Sequence, residues 1–283
     1  MSRRTDRLRI LSFESRRSAE IQSLIERHGG LPHVVPSMRE RPLADNSAAL
    51  TFAGMLFAGE VDVVLFLTGV GAEVLRGAVE TRYPGEKFLS ALDRCEVFVR
   101  GPKPARVLKT WGISIDGQAA EPNTWRELLT VIVARCKVAG RTVAVQEYGR
   151  PNEELYAALR NHGAELLPVP VYRWALPAET ASLEQAVRDT IAGRFDVVMF
   201  TSAFQLTAVL EIAGKLGLRE RWIAAASGCV IASIGPTASE ALAAHGLTVD
   251  LESSPPKMGH LVRLACEQAS GLLEKPSATG ESP

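Results

Sequence analysis

Short apolar runs alternate along the chain with longer segments in which apolar residues have helical spacing. Runs such as Leu8–Phe13 and Val61–Leu67 are typical of buried strands, and each is followed by a segment with the period of an amphipathic helix. Near residue 235 the boundaries are marked by Gly235-Pro236, which suits a helix start, and by Gly246, which suits a helix end. Strands that alternate with helices predict parallel sheets covered on both faces.

This pattern occurs twice. Gly101 and Gly112 flank one predicted helix and Gly235 and Gly246 flank another, and both pairs differ by the same shift (235 − 101 = 134; 246 − 112 = 134). Four further pairs obey the same shift: Asp62 with Asp196, His28 with His162, Pro36 with Pro170, and Pro122 with Pro256. A constant shift from the first strand to the last helix predicts an internal duplication of about half the chain.

Some segments depart from regular alternation. Leu31–Arg41 and its counterpart Leu166–Trp174 are bounded by prolines, so we predict linker strands there rather than core strands. A short strand is expected at Ile113–Ile115, and His28 and His162 are expected to cap helix ends. The tail 274–283 is rich in Pro, Ser and Gly and is predicted to be disordered.

Length and charge restrict the class of protein. A chain of 283 residues suits two domains, and 32 basic against 32 acidic residues argue against a nucleic-acid binder. The N-terminal residues lack the apolar core of a signal peptide, and the long uncharged run Trp222–Ser239 contains Gly, Pro and Ser. We therefore expect a cytoplasmic protein with no membrane contact.

Two familiar kinds of site are not expected. The four cysteines lie far apart without zinc-type spacing, which favours buried apolar positions and no metal. Gly69 and Gly71 resemble the start of a dinucleotide-binding loop, but the third glycine position holds Val74. Because the repeated segment 201–204 has no glycine at all, we do not predict a nucleotide site there.

Ligands of parallel sheets bind beyond the carboxyl ends of the strands, where helices begin. In this chain those ends are rich in hydroxyl groups and small residues, which offer backbone N–H groups to an anion. The strand ends are Thr68, Arg100-Gly101, Gln146-Glu147-Tyr148, Thr201-Ser202 and Gly235-Pro236-Thr237, and they contain no carboxylate pair. Basic residues that could assist are Lys103, Lys257, Arg173, Arg16 and Arg150.

Several runs resemble the uroporphyrinogen-III synthase family: FTS at 200–202, IGPTASEALAAHGL at 234–247, PPKMGHLVRLA at 255–265 and PVYRW at 170–174. The resemblance extends over essentially the whole chain. It implies two α/β domains with parallel, flavodoxin- or Rossmann-like sheets, joined by a two-stranded linker. Together with the repeat, it predicts a discontinuous domain of residues 1–36 and 172–270 and a continuous domain of residues 37–171.

The resemblance also implies an activity. Members of the family are cofactor-free lyases that cyclise hydroxymethylbilane, a linear tetrapyrrole, and invert its last pyrrole ring in heme biosynthesis. It implies Tyr172 as a proton donor. We expect Thr237 to perform part of the role of the hydroxyl group that family members often carry at the position of Ala238. The substrate-binding candidates it implies are Thr68, Gly101, Lys103, Tyr148, Arg173, Thr201, Ser202, Gly235, Pro236, Lys257 and Met258. We also expect no metal, no nucleic-acid partner, no membrane contact and a monomer.

The chain departs from the family pattern at three places. Ala238 stands where members often carry a hydroxyl, Pro104 is its counterpart in the first copy, and Leu67 precedes Thr68 where a hydroxyl pair is preferred. The alternative is therefore a non-catalytic homologue that binds an anionic, tetrapyrrole-like ligand as a sensor or regulatory module. A periplasmic-type binding protein is not expected, because that class of protein would need a signal peptide. A regulatory module would usually be fused to a DNA-binding or receiver domain.

Overall fold

The computed structural model describes residues 7–43, 45–147 and 149–274. These residues form two compact units. The first unit comprises the described residues through Arg39 and those from Ala175 onward, and the second unit comprises Glu40–Trp174. The predicted tail from residue 275 lies outside the described residues. The domain boundaries predicted at 36/37 and 171/172 stay a prediction.

Strands and helices alternate along most of the chain, as the apolar pattern predicts, with the helix Gly85–Leu92 as an addition that the pattern did not predict. The first half of the chain contains β1 (Arg9–Ser12), α1 (Ser18–Arg27), β2 (Leu31–Val34), β3 (Arg39–Pro42), α2 (Ser47–Ala58), β4 (Val63–Phe66), α3 (Gly69–Glu80), α4 (Gly85–Leu92), β5 (Glu96–Val99), α5 (Pro102–Thr110), β6 (Gly117–Gln118) and α6 (Trp125–Arg135). The second half contains β7 (Thr142–Gln146), α7 (Glu153–Asn161), β8 (Glu165–Val169), β9 (Tyr172–Ala175), α8 (Ala181–Ile191), β10 (Val197–Phe200), α9 (Ala203–Lys215), α10 (Arg219–Ala226), β11 (Val230–Ser233), α11 (Pro236–Ala243), β12 (Leu251–Glu252) and α12 (Met258–Leu273).

Each unit is built around one five-stranded parallel sheet. The strand order is β12-β11-β10-β1-β2 in the first unit and β6-β5-β4-β7-β8 in the second, and β3 pairs with β9 in a two-stranded sheet. The pairings within both five-stranded sheets are parallel. The predicted fold class, α/β with two parallel sheets, is confirmed.

The duplication is visible in the element positions. The first residues of β4 and β10, and those of β5 and β11, differ by the shift found in the sequence (197 − 63 = 134; 230 − 96 = 134). Even hydrogen bonds repeat: Asp116 Oδ2 accepts from the N–H of Val97 and Asp250 Oδ2 accepts from the N–H of Ile231, both at 2.7 Å. Each sheet nevertheless combines strands of both copies, because β1 and β2 of the first copy join β10–β12 of the second.

Three sequence predictions are wrong in detail. Leu31–Arg41 is not simply a linker, since its first residues form β2 beside β1, and Leu166–Trp174 likewise begins inside β8. Both β2 and β8 are edge strands, which tolerate the prolines that suggested linkers because one side needs no ladder partner. Residues 113–115 form no strand. The edge strand beside β5 is β6, which begins two residues later at Gly117.

The core lies on both faces of the first unit's sheet. Val198 and Phe200 of β10 pack into a cluster that includes Trp222, whereas Val197 and Met199 point into a second cluster under α12. The side chains of a strand alternate between its faces, and helices cover both.

The long uncharged run 222–239 does not form one helix. It begins in α10 and continues into the buried strand β11. Within the described ranges, no helix is long and apolar enough to cross a membrane.

Candidate functional site

The carboxyl end of β4 carries a helix cap. Thr68 has an extended backbone there, and its hydroxyl accepts a hydrogen bond from the N–H of Gly71 at 2.9 Å, which starts α3. The N–H of Thr68 itself donates to Oε1 of Gln146, at the end of the neighbouring β7, at 3.2 Å. We call the carboxyl end of this sheet, with Thr68, Gln146 and Glu147, the Thr68 edge.

Tyr172 reaches this edge from β9. Its side chain is fully buried, and its hydroxyl oxygen lies 3.2 Å from Oγ1 of Thr68. The ring packs edge-on against Trp174, with ring centroids 5.7 Å apart and an interplanar angle of 86°. The structure therefore brings two of the sequence candidates, Thr68 and Tyr172, into one hydrogen bond across 104 residues of chain.

A buried carboxylate lies beside them, Glu147, which the sequence places at a strand end but to which no catalytic or binding role was assigned. Glu147 follows β7 directly and its side chain is 4% exposed. Its Oε1 accepts a hydrogen bond from the Tyr156 hydroxyl at 3.0 Å, and its Oε2 lies 3.6 Å from Nη1 of Arg173. Burial raises the pKa of the Glu147 carboxyl above its usual range, while the hydrogen bond from Tyr156 and the charge of Arg173 act in the opposite direction.

The sequence signal for Glu147 is an acidic residue placed immediately after a strand of otherwise buried residues. Its neighbour Tyr148, a predicted substrate-binding residue, lies outside the described residues.

The first unit has an equivalent strand end, which we call the Thr201 edge (Glu14, Thr201, Ser202, Gln205). Ser202 caps α9 and accepts from the N–H of Phe204 at 3.3 Å. Thr201 donates its hydroxyl proton to Glu14, and its N–H donates to Oε1 of Gln205 at 2.8 Å. The predicted pair Thr201-Ser202 thus stands at a helix start, and both side chains are partly exposed.

The start of α11 separates two candidate positions. Ala238 is 2% exposed and faces the interior, whereas Thr237 is exposed on the first turn beside Pro236. Ser239, which the sequence analysis did not select, donates to Oγ of Ser233 at 3.0 Å and also contacts Glu252. The hydroxyl groups nearest the end of β11 therefore come from Ser233 and Ser239.

The other candidates differ in accessibility. Lys103 in the first turn of α5 and Lys257 before α12 are exposed, while Gly101 and Gly235 are buried at helix starts. Met258 is 7% exposed and belongs to the apolar cluster under α12. The side chain of Met258, a predicted substrate-binding residue, thus packs in the core, and its binding role stays a prediction.

Packing explains the Gly69-x-Gly71 pair. A Cβ on Gly69 would lie 3.0 Å from the carbonyl oxygen of Lys103, where α3 packs on α5. A Cβ on Gly71 would lie 2.6 Å from Oε1 of Gln146. Each glycine makes room for a neighbouring element.

Burial disfavours the thiolate form of the four cysteines. Burial raises the pKa of Cys95, Cys136 and Cys229 to about 11. All four cysteines lie in the described ranges and none forms a disulfide. Within those same ranges, no group of three or more His, Cys, Asp or Glu side chains is arranged to hold a metal ion.

Comparison with known proteins decides the family. A sequence model described as "Uroporphyrinogen-III synthase HemD" matches residues 19–263. The chain belongs to the uroporphyrinogen-III synthase family. The resemblance found in the sequence is thereby confirmed, and the family is one of tetrapyrrole biosynthesis.

Individual relatives agree with this membership. The chain is 30% identical to a putative uroporphyrinogen-III synthase of Methanothermobacter thermautotrophicus over 82% of this chain and 87% of that protein. It is also 30% identical to the uncharacterized protein YjjA of Bacillus subtilis, over 90% of this chain and 93% of that protein. A mutant uroporphyrinogen III synthase of Thermus thermophilus has the same fold, with a TM-score of 0.69 at 22% identity, over 94% of this chain and 99% of that one.

Proposed function

We propose that this protein is a uroporphyrinogen-III synthase, which cyclises hydroxymethylbilane with inversion of the last pyrrole ring. Family membership supports the reaction class. The observation that carries the proposal is the hydrogen bond between Tyr172 and Thr68 at the end of β4. It holds a phenolic proton donor where ligands of parallel sheets bind. The proposal implies a cytoplasmic, monomeric lyase without a cofactor.

In this mechanism the first step is loss of the terminal hydroxyl of the substrate. The carbon–oxygen bond breaks, the oxygen takes a proton from the Tyr172 phenol and leaves as water, and the pyrrole nitrogen supplies the electron pair. The product of this step is a cationic azafulvene, which closes through a spiro intermediate. Because the phenol is fully buried, the Thr68 edge must rearrange when the substrate enters.

Thr68 and the helix starts would orient the substrate. Thr68 holds the phenol through its Oγ1, and in the same unit backbone N–H groups at the starts of α3 and α5 suit carboxylate groups. The first unit, taken by itself, offers such groups at the starts of α9 and α11. Lys103, Arg173 and Lys257, which are exposed, provide positive charge for the acetate and propionate groups. Thr237 is the exposed hydroxyl on the first turn of α11, and we assign it part of the role that the buried Ala238 cannot perform.

The test uses purified protein and freshly generated hydroxymethylbilane, with the porphyrin isomers separated after oxidation. The wild type should yield the type III isomer, and Tyr172→Phe should lower its rate at least tenfold, a threshold set below the usual contribution of a positioned acid, about 10²–10⁴-fold. Tyr83→Phe is the matched control, because its ring packs on Phe57, which lies on α2, and not at the Thr68 edge.

A normal rate of type III production by Tyr172→Phe would show that the Tyr172 phenol is not the proton donor. If the wild type yields only the type I isomer, the product of spontaneous closure, the enzymatic function itself is refuted and the protein is a non-catalytic homologue.

A further inference from the structure

Glu147 and Glu14 occupy the same register position in the two sheets, although their numbers differ by one less than the constant shift (147 − 14 = 133). In the second unit Leu65 pairs with Val145, and in the first unit Met199, the counterpart of Leu65 under the same shift, pairs with Ser12. Two residues beyond these partners stand Glu147 and Glu14. The two carboxylates are therefore equivalent in register, and their surroundings can be compared directly.

The two glutamates use their oxygens differently. Glu14 is partly exposed and fully engaged: Oε1 accepts from the N–H groups of Arg16 and Arg17 at 2.9 and 3.1 Å, and Oε2 accepts from Thr201. Glu147 is buried, and only its Oε1 accepts a hydrogen bond, from Tyr156. Among the residues that the structure describes, Oε2 of Glu147 has no hydrogen-bond partner.

The unused oxygen faces a cation. Oε2 of Glu147 lies 3.6 Å from Nη1 of Arg173, whose side chain remains 48% exposed. Arg173 and Tyr172 are neighbours in β9 and their side chains alternate in burial, so it is the short distance to Glu147, a member of the Thr68 edge, that places the Arg173 guanidinium at that edge. A buried carboxylate with an uncompensated oxygen is costly unless it faces a charge, and a guanidinium has donors for two carboxylates at once.

We propose that Glu147 is a positioning residue: it holds the guanidinium of Arg173 at the Thr68 edge so that the remaining N–H groups receive a carboxylate of the ligand. The inference rests on the proposed function for the identity of that ligand, a tetrapyrrole bearing acetate and propionate groups. Glu147 itself does not touch the substrate in this arrangement.

Simple electrostatics and the proposed positioning role predict opposite changes in ligand affinity when the charge of Glu147 is removed, which makes the proposal testable. Removing a negative charge near a polyanionic ligand should tighten binding by Coulomb's law. If Glu147 orients Arg173, its removal should instead weaken binding, because the free guanidinium must lose rotamer entropy when the ligand arrives.

The experiment measures binding of uroporphyrin III, which carries eight carboxylates, to the full-length protein by fluorescence titration, without turnover. We expect Arg173→Gln to weaken binding about tenfold, as for loss of a charge-assisted hydrogen bond, and Glu147→Gln to weaken it about threefold to tenfold. The double variant should bind no more weakly than Arg173→Gln alone, because Glu147 acts through Arg173. Lys109→Gln, exposed in the last turn of α5, controls for loss of one positive charge.

Tighter or unchanged binding by Glu147→Gln overturns the proposal, and so does full additivity in the double variant. Failure of the wild type to bind uroporphyrin III also overturns it. Glu147→Asp, which keeps the charge, should restore part of the affinity, and circular dichroism identifies any variant that does not fold.

The isomer assay separates this inference from the proposed function. Type III product together with wild-type affinity in Glu147→Gln refutes the positioning role alone. Type I product only, together with weakened binding in Glu147→Gln, refutes the enzymatic function and supports the positioning role.

Discussion

At the end of β4 in the second unit the N–H of Thr68 donates to Gln146 of β7. At the end of β10 in the first unit the N–H of Thr201, the counterpart of Leu67 one residue earlier, donates to Gln205 of α9 (201 − 67 = 134). Gln205 is the counterpart of Gly71 in the duplication (205 − 71 = 134), so one copy carries the glutamine where the other carries the glycine. The register equivalent of Gln146 in the first unit is Phe13. Both units thus satisfy a backbone N–H at the strand end with a buried glutamine amide, supplied from opposite elements.

The amino ends of the two sheets differ in burial. Asp196, 7% exposed, accepts from Nε and Nη2 of Arg9 at 2.9 Å and 2.8 Å, and its Oδ2 also accepts from the N–H of Arg9. Its counterpart Asp62 is 44% exposed and lies 3.8 Å from Nε of Arg141. Both aspartates thus accept a hydrogen bond from a backbone N–H of the neighbouring strand, but their burial and their ion pairs differ. The duplication has preserved the backbone contact while the side chains around it have changed.

The largest expected effect concerns these aspartates. Asp196→Ala should lower the free energy of unfolding by about 2–3 kcal/mol, because it removes a buried carboxylate that accepts three hydrogen bonds from Arg9, whose own side chain is partly exposed. Asp62→Ala should cost about 1 kcal/mol, mainly through the N–H of Thr142, which donates to Oδ2 of Asp62 at 2.8 Å. Urea unfolding measures both, and equal losses would show that burial does not distinguish the two ends.

A smaller effect tests the exchange of glycine and glutamine. Gly71→Ala should destabilise the protein by roughly 2 kcal/mol, because the new Cβ overlaps the Gln146 side chain. Gly77→Ala in the same helix is the matched control. A Cβ there meets no described atom within 4 Å, and alanine should add about 0.5–1 kcal/mol.

Truncating the neighbour sharpens this test. Gln146→Ala combined with Gly71→Ala should recover part of the loss, since the overlap disappears. If Gly71→Ala is as well tolerated as Gly77→Ala in thermal unfolding, the space at Gly71 is not reserved for Gln146.

The smallest effect is the pH dependence of Glu147. Its pKa is raised in the folded protein, chiefly by burial; Tyr156 of α7 and Arg173 of β9 lower it, and Glu153 of α7 raises it. The folded state therefore binds the proton more tightly than the unfolded chain, whose glutamate pKa is about 4.3. The stability contributed by the protonated carboxyl is complete below that value and is lost as the pH rises through the raised pKa.

Glu147→Gln, which stays neutral, should accordingly gain stability relative to the wild type as the pH rises from about 4 to 8, a range that starts near the unfolded pKa. Melting temperatures across this range measure the difference. The exposed Glu154→Gln controls for net charge. A difference that stays constant with pH, or falls, would contradict the assigned environment of Glu147.

Much of the fold could be predicted because its signals are local. Gly29, Gly112, Gly163 and Gly246 all have positive φ just past helix ends, and the Gly-Pro pairs start α5 and α11 as expected. The constant shift between the two copies needs no structure, since it compares the chain with itself. The candidates Thr68, Ser202 and Tyr172 could also be predicted from local sequence, because they lie at predicted strand ends or in a family motif.

Only the tertiary structure decided how the copies combine. Arg9 meets Asp196 across 187 residues, and Tyr172 meets Thr68 across 104, and such pairings leave no trace in local periodicity. The same holds for Glu147: a glutamate after a strand is ordinary in sequence, and its burial follows from α7 and β9 packing over it. Local propensity thus determined which elements form, while long-range parallel pairing determined which polar groups share one strand end.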